Sequence, residues 1–314
     1  MIPGEKNVTS ALPAQVQVIV RDWLSSNHVL LKSSEGHVLI DSGYVRHVPV
    51  TLRLLESPHA LADDPLALIV NTHCHSDHMG GNAAVARRYG CPIAIPAGEA
   101  ELIEDWNGEA LLLDYADQEA ERFVVSRKLY PGETYGWADL EWQALAAPGH
   151  DMGALMFFNA EHGILVSGDA LWRRGFGVLM PPEIEPRALA ATRATLDLIA
   201  SLPVRVVIPG HGDPFSQVDA ALEVAYGRLA RFEDNPASLA PYALKVLFAF
   251  ALLIQRRFAI EELPAYVQRV GVFRDFNAQF LHQPATDLAD WLAMELTRSG
   301  AAHREGGWLV AGMR

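Results

Sequence analysis

Thr72-His73-Cys74-His75-Ser76-Asp77-His78-Met79-Gly80-Gly81 places three histidines and an aspartate within six residues. It follows Leu66-Ala67-Leu68-Ile69-Val70, a continuous apolar run that reads as a strand buried on both faces, so the cluster hangs from a strand's C-terminal end. Gly80 to Tyr89 then reads as a helix ended by Gly90, with the cluster near its N-terminus. A lone histidine is most often a packed or solvated side chain. His-x-His-x-Asp-His in one short segment is rarely made by chance and points to metal.

Three further metal-type residues lie downstream, each beside glycine, where the backbone can turn tightly and approach a site closely. They are His150 in Ala147-Pro148-Gly149-His150-Asp151, Asp169 in Ser167-Gly168-Asp169-Ala170, and His211 in Pro209-Gly210-His211-Gly212-Asp213. Neutral imidazole and carboxylate suit zinc, iron or manganese, and a catalytic zinc takes three protein ligands and leaves one position for water. Seven such groups suffice for two ions. His73 and His75 are two apart in an extended turn and can share one ion with His150. Asp77 and His78, with His211, complete a second site, and Asp169 bridges the two through its two oxygens. His28, His37, His47, His59, His162, His282 and His303 lack such partners and read as ordinary side chains. Cys74 reads as a small packing residue inside the cluster.

Asp41-Ser42-Gly43, the His73–His78 cluster, His150, Asp169 and His211, in this order and spacing, resemble the metallo-β-lactamase superfamily over roughly residues 16 to 215. The resemblance implies an α/β fold, an αββα sandwich of two mixed sheets between outer helices, with the ligands on loops along one edge. It makes Asp41 a residue that orients the metal loops, a support that metal sites commonly need. The hairpin of Val29–Lys32 and His37–Asp41 around Ser33-Ser34-Glu35-Gly36 fits that plan. So do strands at Pro92–Ile95, Leu155–Phe158, Gly163–Val166 and Val204–Ile208, the last two running into Asp169 and His211.

The resemblance also ranks activities. The true β-lactamases do not carry an aspartate bridge such as Asp169, and flavodiiron proteins place a glutamate where His75 stands. Glyoxalase II enzymes, acyl thioesterases and acyl-homoserine lactonases match the ligands, as do the single-iron persulfide dioxygenases. Glutathione binding in the family recruits Lys and Arg from the C-terminal region, where Lys245 is this chain's one lysine. The expected activity is hydrolysis of a thioester, ester or lactone with two Zn²⁺ (or Fe or Mn), which would activate a water for attack on the carbonyl, with Asp77 receiving its proton. A lactamase-like endoribonuclease and a persulfide dioxygenase are the alternatives. Trp172, Arg173, Arg174 and Phe176 directly follow Asp169, so an arginine there could hold a carboxylate and an aromatic ring could line an acyl pocket.

The chain's 314 residues, half of them hydrophobic, suggest one large domain and a smaller one: residues 1–215 catalytic, residues 216–314 helical. Glu99 to Arg122 is acidic and reads as a helical excursion bordering the site. Helices at Val218–Phe232, Leu244–Phe258, Glu261–Val270 and Thr286–Ser299 precede a hairpin turning at Glu305-Gly306-Gly307, which together resemble a winged helix. The net charge is −13, and residues 236–314 carry eight Lys and Arg against seven Asp and Glu. An acidic body with a near-neutral tail argues against nucleic acid, and the resemblance implies a small-molecule acyl partner. Met1 to Asn7 lack the features of a secretory signal, no apolar run of bilayer length is evident, and two cysteines are too few for a disulfide framework. A cytoplasmic protein without membrane attachment, able to form a homodimer, is expected.

Overall fold

The computed structural model describes residues 12–312, so the expectation about Met1 to Asn7 lies outside the described residues. The first sheet runs in chain order through β1 (Val16–Ile19), β2 (His28–Leu31), β3 (His37–Ile40), β4 (Leu66–Val70), β5 (Ile93–Pro96) and β6 (Arg127–Leu129). Its first three strands are antiparallel neighbours and β3 to β6 are parallel. The second sheet holds β7 (Thr134–Trp137), β8 (Leu140–Ala146), β9 (Leu155–Asn159), β10 (Ile164–Gly168) and β11 (Val206–Pro209), with only the β10–β11 pair parallel.

Period-two alternation builds the sandwich. Val29, Val38, Ile40 and Val70 point between the sheets, against Trp142, Phe157, Val166 and Ile208. Leu30, Leu39 and Ile69 point the other way, onto an outer layer of α1 (Val48–Leu55), α2 (Ser76–Met79), α3 (Asn82–Tyr89) and α4 (Ala100–Asp105). The second sheet's outer face, with Met156, Phe158 and Leu165, is covered by α5 (Ala188–Ser201) and α6 (Val218–Asp234). The αββα architecture is as expected. The buried side of α6, with Leu222, Ala225 and Leu229, shares one cluster with α5 and this sheet, so α6 packs with the sandwich although it follows residue 215.

Beyond α6 come α7 (Leu239–Gln255), β12 (Arg257–Ala259), α8 (Leu263–Arg269), α9 (Gly271–Phe276), α10 (Ala285–Ser299), β13 (Ala302–Glu305) and β14 (Trp308–Ala311). The closing hairpin turns where expected, and β12, which the sequence does not advertise, pairs with β14 to make a third, three-stranded sheet. One expectation is corrected here. Pro236–Gln255 is long and apolar enough to cross a bilayer by length and composition. Half of it is buried within the protein, where Ala243, Leu244, Phe248 and Ala251 form the core with Val267, Phe273 and Leu292.

Candidate metal centre

The predicted ligands converge at one edge of the sandwich because each follows a strand end. β4 leads into His73, β8 into His150, β10 into Asp169 and β11 into His211. The cluster's second half is helical. Ser76–Met79 form one helical turn, α2, which carries Asp77 and His78. Donor atoms of His73, His75 and His150 come together in one group, and those of Asp77, His78 and His211 in another. Asp169 stands between them. Its Oδ2 lies 3.6 Å from His150 Nε2, and its Oδ1 lies 3.4 Å from His78 Nε2 and 3.9 Å from His211 Nε2. Asp77 Oδ2 is 3.0 Å from His211 Nε2.

The surrounding network fixes which ring nitrogens face inward. Asp41 ends β3 at φ 60° and accepts four contacts: Thr72 N–H at 2.9 Å and Asn71 Nδ2 at 3.3 Å on one oxygen, Thr72 Oγ1 at 2.8 Å and His78 Nδ1 at 2.8 Å on the other. Since the Thr72 hydroxyl donates to Asp41, its lone pair takes the proton of His73 Nδ1 at 3.1 Å. His150 Nδ1 donates to the Val178 carbonyl. Each of these rings therefore turns Nε2 toward the centre, and those of His73 and His78 are buried without a hydrogen-bond partner among the described residues. Orphaned imidazole nitrogens facing ionised carboxylates are the donor set a divalent cation needs.

Electrostatics agree. Burial alone would lower the His78 pKa, but Asp41, Asp169 and Asp77 outweigh it and hold the ring well above its usual value. Burial pushes the Asp169 carboxyl up, yet His211 and His78 bring it well below the carboxylate range, and Asp77 is lowered in the same way by His78 and His211. His73 is held well below its usual value by burial and then by His78 and His75. His75 falls to about 4 through burial and His150. The pocket thus presents neutral imidazoles on one side and a carboxylate-rich side that attracts positive charge.

Glycines permit this crowding. A Cβ on Gly210 would stand 2.2 Å from Asp169 Oδ1, and one on Gly177 would stand 2.4 Å from His150 Cγ. Cys74 is buried, and its backbone N–H donates to Glu99 Oε2 at 2.7 Å, so Glu99 braces the His73–His75 turn from behind. Burial, then Asp151, raises the Glu99 carboxyl well above its usual range.

The chain belongs to the metallo-β-lactamase superfamily. The family description "Metallo-beta-lactamase superfamily" matches residues 21–211, most of the chain. That match, with a thioesterase and a hydroxyacylglutathione hydrolase among its relatives, supports a metal-dependent hydrolase. A relative from Gallus gallus named acyl-coenzyme A thioesterase MBLAC2 is 29% identical over 210 residues, covering 60% of this chain and 73% of its own. A hydroxyacylglutathione hydrolase from Chelativorans sp. is 28% identical over 159 residues, 50% of this chain, and this chain spans 53% of that relative's length. The metallo-β-lactamase family protein TTHA1429 from Thermus thermophilus shares the fold at a TM-score of 0.55 and 21% identity, over 95% of this chain and 98% of its own.

A cavity of about 730 Å³ opens on this superfamily member's donor groups, lined there by His75, Asp77, His150, Asp169 and His211. Trp172, Arg173 and Arg174 line it as well. Trp172 Nε1 donates to Asp169 Oδ1 at 3.1 Å. Arg173 Nη2 reaches the Pro214 carbonyl and its guanidinium lies 5.8 Å from the Phe215 ring centroid. Phe176 departs from expectation: it is 1% exposed, packed with Leu171 and Leu179, and does not line the cavity. It turns inward because its carbonyl and ring are both taken by Arg228.

Sequence reasoning missed several cavity residues. Trp23, 49% exposed, stacks on His211 at 5.3 Å and 2°, with Trp172 edge-on to both. Asn27 anchors the Trp23 loop by donating to the carbonyls of Pro209 and Gly212. Leu112 and Gln118 come from the acidic excursion, which does border the cavity, and Val246, Leu247 and Phe250 come from α7. Lys245 does not reach it; it pairs with Glu295 at 3.0 Å.

Proposed function

We propose that the protein is a binuclear metal-dependent hydrolase of thioesters or of closely related esters and lactones. One observation carries this reading: Asp169 directs Oδ2 toward the His73–His75–His150 group and Oδ1 toward His78 and His211 of the other. His73, His75 and His150 would hold one ion, Asp77, His78 and His211 the other, and Asp169 both. Zinc, or iron or manganese, bound there supplies a polarised acyl carbonyl and a water that ionises near neutral pH.

The chain's own residues do the rest. Asp77, kept ionised beside His78 and His211, receives the proton of the attacking water. Asp41 orients His78 directly and His73 through Thr72. Trp23 and Trp172 shield the carboxylate-rich side, and Leu112, Val246, Leu247 and Phe250 offer an apolar wall for an acyl chain. The cavity is of the size that encloses a small organic ligand. The names of the two relatives, a thioesterase and a hydroxyacylglutathione hydrolase, support acyl hydrolysis. A cytoplasmic location, a small acyl substrate in place of nucleic acid, no membrane attachment, a winged-helix-like C-terminal region and a homodimer belong to the same proposal.

Initial rates of the zinc-loaded protein on an acyl thioester, an acyl lactone and a phosphodiester test it, with Asp77→Ala as blank. Turnover of the thioester or lactone that the variant lacks is expected. Turnover of the phosphodiester alone would overturn the reading in favour of a nuclease.

A further inference from the structure

We propose that Arg228, on α6, is an anion-binding group in the wall of the cavity, so that the preferred acyl substrate carries an oxyanion, most simply a carboxylate, beside its apolar portion. This rests on the hydrolase reading only in taking the cavity as the substrate site.

Arg228 lines the cavity, yet no acid pairs with it among the described residues. Its Nη1 donates to the Phe176 carbonyl at 2.9 Å and its Nη2 to the Tyr242 hydroxyl, both neutral acceptors. The rings of Phe176, Tyr242 and Phe232 surround it at 4.8, 4.7 and 5.7 Å. Burial lowers its pKa, Tyr242 partly opposes this and Arg231 adds to it. In a chain with 38 acidic and 25 basic side chains this isolation is unusual. Other arginines find carboxylates readily, as Arg193 does with Glu233 and Arg187 with Glu185. A guanidinium drawn from water without a counter-ion is costly, and a fork of donors held rigid by aromatic rings suits a planar oxyanion.

Its position suits a substrate role. A Cβ on Gly175 would stand 2.8 Å from Arg228 Nη1, while one on Gly177 would stand 2.4 Å from His150 Cγ. The guanidinium and the imidazole thus flank one short loop, two residues apart along it. Leu247 and Phe250 of α7 line the same cavity and would hold the apolar part of the ligand. Arg173 and Arg174 add positive charge along it, against the acidic body of the protein.

The test is calorimetric titration of the metal-loaded, full-length protein with hexanoate, hexyl phosphate and the isosteric neutral hexanamide, which needs no turnover. Arg228→Met should weaken binding of the anions at least tenfold while changing hexanamide less than twofold, and the tighter of the two anions names the oxyanion. Unchanged hexanoate and hexyl phosphate binding in the variant would overturn the proposal, whatever the protein hydrolyses. Should Arg228→Met not fold, the side-chain ¹⁵N resonance of Arg228 in the wild-type protein, assigned by its loss in Arg228→Lys, decides. A shift with the anions and none with hexanamide supports the site, and no shift with any of them refutes it.

Discussion

Asp41 Oδ2 lies 2.8 Å from His78 Nδ1, and the opposite nitrogen of the same ring is buried without a hydrogen-bond partner. Through Thr72 the same carboxylate sets the His73 ring, whose Nε2 is also orphaned. One residue at the end of β3 thus aims one imidazole of each donor group. Asp41→Asn tests this cleanly, because asparagine tolerates the φ of 60° while its amide cannot accept four donors. Zinc affinity measured by chelator competition should fall about 10- to 100-fold with the fold retained. Unaltered affinity would remove Asp41 from the centre.

Trp172 acts on the shared carboxylate. Trp172→Phe keeps an aromatic ring beside Trp23 and His211 and deletes the N–H that reaches Asp169 at 3.1 Å. A hydrogen bond to a charged group is worth roughly 1.5–3 kcal/mol, so zinc affinity should drop about tenfold or more. An equal drop in Trp23→Phe, which removes no contact to Asp169, would show that the ring and not the N–H matters.

Binding of metal should release protons with a definite sign. His78 is held well above its usual pKa by Asp41, Asp169 and Asp77 and so keeps its proton to higher pH than a free imidazole, while His73 lies well below and His75 at about 4, so both are neutral. Zinc must displace the His78 proton, and affinity should therefore rise with pH through neutrality. Calorimetry at neutral pH in buffers of different ionisation enthalpy should report net proton release on metal binding. Proton uptake would contradict the arrangement.

The glycines give paired stability outcomes. Gly210→Ala and Gly177→Ala would drive a methyl into Asp169 and His150, so both should lose bound metal and melt lower. A Cβ on Gly227, within α6, meets nothing within 4 Å, and Gly227→Ala should stabilise the protein by about 0.4–1 kcal/mol. Thermal melts with metal analysis distinguish the three.

Much of this was legible because metal ligands must be a few residue types, and because a strand buried on both faces is apolar throughout, as in Ile69 and Val70. The seven donor side chains expected from the motifs come together, and Asp41, expected by resemblance, stands beside them. The single helical turn of α2 escaped notice, since four residues carry no period. Phe176 was misread because loop aromatics look alike until packing chooses a side, and Arg228, 52 residues away, makes that choice. Trp23, Arg228 and Phe250 reach the cavity through tertiary contacts that no local pattern encodes. The apolar length of Pro236–Gln255 was missed because Tyr242 and Lys245 interrupt the run without ending it.

Two ions shared by Asp169 would make a single acyl-hydrolysing centre, in which neither ion suffices alone. A zinc titration of the metal-stripped protein, with bound zinc and hydrolysis of an acyl thioester followed together, addresses this without any substitution. Turnover should rise to a plateau at two equivalents per chain. A plateau at one equivalent, or two bound zincs with no hydrolysis of thioester, ester or lactone, would refute the shared centre.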